Sequence, residues 1–400
     1  MAETQERGEE KRPAPEREEK RVTWAELFFD LVFVFAVTQV SELLHHDHAA
    51  GGLLRAAVVF VPVWWAWVGT SVYANSHDME SQRERINLLV LGLGAFVMAV
   101  ALPYAYGSRG LLFAGAYAAL RLVMAWMMFG GLRMRLNPFS VSLCVSTPLL
   151  LAGGMAHGGL RLGLWAAAAV IELSSPAVLR HRLASLRYEP SHLPERFGLF
   201  VLIALGESLV VVGKAASGHP VGALDLLAVG AAFVLAGGLW WTYFGYAAAA
   251  VRYALATAKV QTVITREVFV YGHLAFVAAI ITTAVGLEYA VVAPAAHLSV
   301  GTSALLAGGC AVYLLTFNYT RWRMFGMLSP TRGAAGLACA AVIAAGPFLP
   351  AVATVALLAA VLVTLNLVEH RRVERAARAA SGASATAEDD AEQDQDVEIG

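Results

Sequence analysis

Long apolar runs separated by short polar segments make up most of the chain. A helix needs about 20 residues to cross the hydrocarbon core of a bilayer, and most of these runs are close to that length. The predicted spans cover about residues 24–44, 53–75, 86–106, 108–129, 139–156, 160–179, 196–214, 222–248, 267–291, 299–319, 333–348 and 350–368. The pattern predicts an all-α polytopic membrane protein of about 12 transmembrane helices. Over residues 333–368, a re-entrant hairpin is the alternative to two crossings.

Charged stretches divide this chain into five parts. Residues 1–22 and 371–400 are rich in charge and lack apolar periodicity, which predicts disordered tails. Between the tails, residues 23–182 and 196–370 form two six-helix halves. A cytoplasmic linker, 183–195, joins the halves.

The two halves share a faint similarity. Trp64-Trp65 aligns with Trp240-Trp241, and the basic residue before the third span aligns with the one before the ninth. Because six spans per half is an even number, the halves are predicted to be parallel repeats, related by an axis along the membrane normal. Chance alignment of apolar helices with basic ends is the alternative.

Lys and Arg are distributed unevenly along the chain. With the amino terminus inside, the predicted cytoplasmic segments hold 24 of the 29 basic residues. Cytoplasmic segments of membrane proteins carry such an excess, so both termini are predicted to be cytoplasmic. The predicted location is the cell (inner or plasma) membrane.

Composition supports this class and excludes others. Hydrophobic residues make up 58% of the chain, charged residues 15%, and the mean hydropathy is +0.61. The net charge of -1 includes no basic domain, so no nucleic-acid partner is expected. The three cysteines lack metal-ligand spacing, and the sequence contains no phosphate-binding loop, GxSxG or HExxH motif. The sequence therefore predicts no enzyme, no cofactor and no metal.

The most informative polar residue is Glu207, in the middle of the stretch 195–214. An ionised side chain at this depth costs about 2.5–3.5 kcal/mol on insertion scales, so it is normally turned toward a partner, a cavity or an ion path. Gly206 and Ser208 flank it and could loosen the helix enough to present carbonyls to a small ion. Glu207 and Ser208 are therefore predicted to belong to an ion or proton pathway.

Three further charges fall in the cytoplasmic half of the predicted spans. Asp30, Arg121 and Glu172 lie about 9–12 Å inside that boundary at 1.5 Å per residue. Arg121 is expected to pair with Asp30 or Glu172, which leaves a carboxylate free to bind a proton or cation. Gln39, farther along the first span, is assigned to the same pathway. The alternative is that these side chains only hold helices together.

Polar residues at helix ends supply weaker candidates. Asn75, His77 and Asp78 form a candidate gate or a solvated helix end, and His273 is a candidate proton carrier or a packing histidine. The cluster His45–His48 contains metal-ligand types, but a solvated loop is the favoured interpretation because adjacent residues do not converge on one tetrahedral site. The tryptophans of the second and eighth spans pack in the core or, alternatively, line a cavity.

Three motifs resemble a known family. ELFFDLVFVFAVTQVSEL (Glu26 to Leu43), FGLFVLIALGESLV (Phe197 to Val210) and LWWTYF (Leu239 to Phe244) are similar to the bacterial low-temperature-requirement protein A (LtrA) family. The resemblance covers nearly all of residues 22–370 and implies a polytopic membrane protein. It marks the motif positions Glu26, Phe28, Asp30, Glu207 and Ser208.

These observations favour a secondary transporter or ion-conducting protein, coupled to protons or cations. The expected partners are the lipid bilayer and a small ion or solute, and a homo-oligomer is compatible with the sequence. One alternative is a non-transporting membrane scaffold or cold-adaptation protein. Another is a membrane-embedded enzyme acting on lipid, which only the polar segment 75–85 supports.

Overall fold

The computed structural model describes residues 20–47, 49–130, 136–183, 186–218, 220 and 222–398. Within these residues, twelve long helices supply most of the regular structure. They are α1 (Trp24–His46), α2 (Ala50–Ser76), α3 (Gln82–Tyr104), α4 (Gly110–Phe129), α5 (Pro138–Met155), α6 (Gly158–Val178), α7 (His192–Ser217), α8 (Ala223–Thr257), α9 (Gln261–Val292), α10 (Val300–Phe325), α11 (Pro330–Phe348) and α12 (Ala351–Glu398). A four-residue helix, Arg180–Leu183, lies between α6 and α7.

Eleven of the described helices are long and apolar enough to cross a membrane. The exception is α6, which has the length, 21 residues, but carries Arg161 and Glu172. The prediction of an all-helical membrane protein is confirmed, with eleven candidate spans where twelve were expected. Both helices of the last pair, where the sequence leaves a re-entrant hairpin as the alternative, are candidate spans, over Pro330–Phe348 and Ala351–Ala376.

The two predicted tails are described to different extents. Residues 1–19 lie outside the described part of the chain. Residues 371–398, for which the sequence predicts a disordered tail, continue α12 as helix. This stretch is rich in alanine, the residue with the highest helix propensity.

Local sequence signals set several helix ends. Thr23 caps α1 in a reciprocal arrangement, since its hydroxyl accepts from the backbone N–H of Glu26 while the Glu26 carboxylate accepts from the Thr23 N–H. Ser81 caps α3 through its side chain. At the other end, Gly130 and Gly326 close α4 and α10 with φ of 55° and 69°, a left-handed conformation that favours glycine.

α1 connects helices from early and late in the chain. It packs against α2 and α3 and also against α7 and α9. Trp64 and Trp67 of α2 pack edge-on or tilted against Phe197 and Phe200 of α7, with ring centroids 4.3–6.1 Å apart. These two tryptophans are buried core residues.

Their counterparts in the proposed repeat have a different environment. Trp240 and Trp241 of α8 are 47% and 39% exposed. The core-packing interpretation of the tryptophans therefore holds for α2 and not for α8.

Glycines allow α9 and α10 to approach closely. A Cβ on Gly286 would lie 2.8 Å from the backbone nitrogen of Leu306, and one on Gly309 would lie 2.8 Å from the carbonyl oxygen of Ala279. Small residues at helix crossings are a usual device for close packing in membranes.

Three helices contain π-helical turns, at Ser142–Ser146, Tyr243–Ala247 and Thr265–Gly272. Such turns are rare, and they shift the hydrogen bonding from i+4 to i+5. All three lie beside the polar groups described next.

Candidate functional site

The most deeply buried polar cluster joins α1 to α7 through Arg196. Its Nη1 donates to Glu26 Oε1 at 2.8 Å and its Nη2 donates to Asp30 Oδ1 at 3.1 Å. All three side chains are fully buried. Trp67 Nε1 also donates to Asp30 Oδ1, at 2.7 Å. One guanidinium therefore bridges two acids that lie one helical turn apart on α1.

His192 and Asn75 extend this cluster toward the ends of the helices. His192 Nε2 lies 3.0 Å from Glu26 Oε1, and its Nδ1 lies 3.4 Å from Asn75 Nδ2. Asn75 also pairs with the backbone of Glu189, accepting from its N–H at 2.9 Å and donating to its carbonyl at 3.2 Å. The candidate gate residue Asn75 thus locks the end of α2 to the segment before α7.

This cluster places two acids beside one arginine. Glu26 and Asp30 are two acids, Arg196 is one cation, and the hydrogen bonds of His192 fit a neutral ring that donates from Nε2 to Glu26. Among the described residues, Asp30 Oδ2 is buried without a hydrogen-bond partner.

A second cluster lies between α4, α5 and α6. Tyr117 is at its centre: its hydroxyl donates to Glu172 Oε1 at 2.6 Å and accepts from Arg121 Nε at 2.9 Å. Ser142, in the π-helical turn of α5, donates to the same Glu172 oxygen. The sequence predicts that Arg121 pairs with Asp30 or with Glu172. In the structure Arg121 Nη2 lies 3.9 Å from Glu172 Oε1, and Asp30 belongs to the first cluster.

Glu207 stands apart from both clusters. It is half-buried on α7, and in the described part of the chain it makes no hydrogen bond or ion pair. Ser208 is buried and donates within its own helix, to the carbonyl of Ala204. Because Arg196 and Glu26 bring the starts of α7 and α1 together, Glu207, about 16 Å farther along α7, comes to the depth of the half-buried Gln39 on α1.

His273 is a buried, fully hydrogen-bonded histidine at the end of the π-helical segment of α9. Its Nδ1 donates to the carbonyl of Val268 at 2.9 Å, and its Nε2 accepts from the Tyr243 hydroxyl at 2.7 Å. Trp64 Nε1 donates to a further carbonyl of this segment, that of Val270. The π-helical segment of α9 therefore offers two carbonyl oxygens to side chains, one to His273 of the same helix and one to Trp64 of α2.

The other two candidate gate residues lie at the surface. His77 is exposed, stacks on Tyr73 and donates to its carbonyl at 2.9 Å. Asp78 is exposed and accepts from the backbone N–H of Glu80. Lys20 donates to carbonyls at the end of α2, including those of Ala74 and His77.

The histidine-rich segment, predicted as a loop, begins inside α1, whose last residues are His45 and His46, and its side chains contact separate partners. His45 lies 3.1 Å from Glu288, His46 contacts Glu42 of its own helix, and Asp47 pairs with Arg55. His48 lies outside the described residues. Nowhere in the described ranges do three His, Cys, Asp or Glu side chains come together in a way that could hold a metal ion.

Sequence reasoning missed Arg196, His192 and Trp67 as members of the first cluster. Arg196 was counted with the cytoplasmic segments, and Trp67 only as an aromatic. A usable signal was depth, since Arg196 is the first residue of the seventh predicted span and Glu26 lies close to the start of the first. Two acids four residues apart need a cation at the same level.

Apolar helices that enclose buried ion pairs define a multi-pass helical membrane protein with charge in its interior. The chain belongs to the bacterial low temperature requirement A protein (LtrA) family, whose family model matches residues 21–367. A relative from Rhizobium meliloti (strain 1021), named uncharacterized protein RA0937, is 35% identical in an alignment of 301 residues that covers 69% of this chain and 71% of the relative. No solved structure matches the chain. The resemblance drawn from the three motifs is confirmed.

Proposed function

We propose that the protein is a secondary transporter or ion-conducting protein, coupled to protons or cations, rather than an enzyme. One observation carries the proposal: Glu207 lies in the middle of a span without a hydrogen bond or ion pair among the described residues. Asp30 and Glu172, by contrast, are held by Arg196 and by Tyr117. An intramembrane acid without a fixed partner is suited to loading and unloading a proton or a cation.

The other residues have supporting roles in this proposal. Gln39 supplies a neutral polar side chain on α1 at about the depth of Glu207, and Ser208 lies next to Glu207 on α7. Asp30, Arg121 and Glu172 keep the surrounding bundle charge-balanced. His273 carries a proton only if its hydrogen bond to Tyr243 opens.

We further propose twelve crossings, with α6 as the sixth. The starts of α1 and α7 lie at the same face of the bundle, because Ser191 donates to the Lys20 carbonyl and Arg196 contacts Glu26. An even number of crossings must therefore separate them. Five candidate spans precede α7, so α6 has to make the sixth crossing. At 21 residues and about 31 Å it is long enough.

With twelve crossings, both termini lie on one side, in agreement with the excess of Lys and Arg in the cytoplasmic segments. The shared direction of α1 and α7 also supports parallel six-helix repeats. Residues 23–182 and 196–370 would be the two halves. The proposed location is the cell (inner or plasma) membrane.

Flux measurements on purified protein in liposomes test this function. Across a pH or sodium gradient, we expect wild-type protein to move protons or cations and Glu207→Gln to lose that flux while remaining folded. Glu288→Gln is the matched control, because Glu288 is a half-buried acid of another span that has a partner, His45, at 3.1 Å. We expect it to keep wild-type flux.

Two results would reject the proposal. If Glu207→Gln carried wild-type flux, Glu207 would not be the coupling acid. If wild-type protein carried no flux across a broad set of gradients, the non-transporting scaffold would become the better assignment. That assignment predicts a wild-type phenotype for Glu207→Gln and sensitivity to changes in the tails.

A further inference from the structure

A cavity of about 170 Å³ lies between α2, α4, α5, α6 and the π-helical start of α9. Its walls are mainly apolar and include Trp65, Val68, Phe139 and Val270. None of its described lining residues is an acid. Burial raises the pKa of Tyr188, which lines the loop end of the cavity, to about 12, so this phenol adds no charge to the cavity. For scale, an apolar cavity of about 150 Å³ in another protein accommodates benzene.

Arg121 brings an incompletely bonded cation to this cavity. It is only 3% exposed, and its Nη2 has no hydrogen-bond partner among the described residues. Its Nε donates to Tyr117, and the nearest oxygen of Glu172, 3.9 Å away, already accepts from Tyr117 and Ser142. A buried guanidinium with unused donors is costly unless an acceptor reaches it.

The surroundings of Arg121 determine from which direction an acceptor can approach. Its guanidinium lies over the rings of Tyr117 and Phe139, 4.9 and 5.5 Å from their centroids. Because Nε is used by Tyr117, the edge formed by Nη1 and Nη2 remains, and its paired N–H groups match a carboxylate. At Gly69 a Cβ would lie 3.1 Å from Nη1, so the glycine keeps space open beside the guanidinium.

A second polar group in the cavity also lacks a partner. The hydroxyl of Thr265 is buried, lines the cavity and makes no hydrogen bond within the described residues. An apolar pocket with a few convergent polar groups is the usual form of a small-molecule site.

We propose that this cavity binds a small monocarboxylate with an apolar body about the size of a benzene ring. The carboxylate accepts hydrogen bonds from Arg121 and Thr265, and the apolar body lies against Trp65 and Phe139. A phosphate fits less well. The second arginine of the lining, Arg266, is already paired with Glu267, so Arg121 is left as the one guanidinium with unused donors among the described lining residues, and most phosphate oxygens would lack donors. The site does not depend on ion movement through Glu207.

Equilibrium binding of radiolabelled benzoate to the full-length protein in detergent micelles tests the site. We expect saturable binding, no competition by the neutral isostere benzamide, and about 10- to 100-fold weaker binding for Arg121→Gln. Gly69→Val, which fills the space beside the guanidinium, should weaken binding without removing a charge. Arg332→Gln is the matched control, because Arg332 is a buried arginine outside the cavity that pairs with Glu369; benzoate binding should be unchanged.

Size-exclusion profiles and thermal unfolding show which variants are folded. If Arg121→Gln does not fold, Gly69→Val and Thr265→Val decide the question. The proposal is overturned if benzoate does not bind saturably, or if Gly69→Val and Thr265→Val both bind it as wild type does. Competition by chloride and by cyclohexanecarboxylate, an apolar carboxylate of similar size, gives a further test. If chloride displaces benzoate as effectively as cyclohexanecarboxylate does, the site is a simple halide site and the proposal is also overturned.

Discussion

Replacing Arg196 by Met should be among the most destabilising single changes in the bundle. The substitution introduces an apolar side chain of similar length and removes the cation shared by Glu26 and Asp30. Glu26 keeps three other hydrogen bonds, from His192 and from the backbone and hydroxyl of Thr23. Among the described residues, Asp30 keeps only the hydrogen bond from Trp67.

The expected loss follows from these contacts. Two charge-assisted hydrogen bonds, each worth about 1.5–3 kcal/mol, are removed. Removing one partner of a fully buried ion pair costs about 3–5 kcal/mol. We therefore expect Arg196→Met to lower the unfolding free energy by about 3–5 kcal/mol, mainly through the unpaired charge of Asp30. Asp30→Asn in the same chain should restore at least about 1 kcal/mol, because it removes that charge.

Unfolding by SDS in mixed micelles, followed by far-UV circular dichroism, measures these differences. Arg332→Met serves as the control, since Arg332 pairs with Glu369 at 2.7 Å but both side chains are 11–12% exposed. Its expected loss is smaller, about 1–2 kcal/mol, because water reaches the pair. The reasoning is refuted if Arg196→Met costs less than about 1 kcal/mol, or if Asp30→Asn adds its full cost to that of Arg196→Met.

A close helix contact, a buried phenol and a capped helix end give further tests. Gly286→Ala forces a Cβ against the backbone of α10 and should cost about 1–3 kcal/mol in SDS unfolding. Gly230→Ala, with no atom within 4 Å of its Cβ position, should cost nothing, and equal effects would contradict this explanation. Tyr117→Phe removes the hydroxyl between Arg121 and its neighbouring acid, and thermal unfolding should show a loss of about 1–3 kcal/mol. Lys20→Met should cost about 0.5–1.5 kcal/mol at pH 7. Because burial lowers the pKa of Lys20 from its usual 10.5, the unfolded chain binds more protons between the two values. Wild-type stability should therefore rise with pH in that window relative to Lys20→Met, and a fall would contradict the buried ammonium.

The apolar runs were sufficient to predict the helices, because a span has to be satisfied within its own backbone and its length is fixed by the bilayer. α6 shows the limit of this criterion. Arg161 donates to the carbonyls of Ala105 and Gly107, and Glu172 accepts from Tyr117, so both charged side chains of α6 have hydrogen-bond partners outside this helix. A hydropathy average lowers the score of α6 for these charges because it does not include the partners.

The pairing of charges was less accessible from the sequence. Arg121 could be placed near the depth of both Asp30 and Glu172, but depth does not say which helices are neighbours. The structure separates the two acids into different clusters and gives Asp30 to Arg196, 166 residues away. Such contacts depend on the order of the helices around the bundle, which one sequence does not specify. The π-helical turns at Ser142 and Thr265 were likewise not predicted.

The separation between Glu26 and Arg196, 170 residues along the chain, has a consequence for biosynthesis. At roughly 5–20 residues per second, a ribosome needs roughly 8–34 s to make that length. The first helix therefore reaches the translocation machinery well before its cation has been synthesised. Until then, its two acids depend on water, protons or the insertion apparatus. Arrival of the seventh helix supplies that cation, so a chain truncated before Arg196 would keep two acids without it in the first helix, even though that helix can already pack on the second and third.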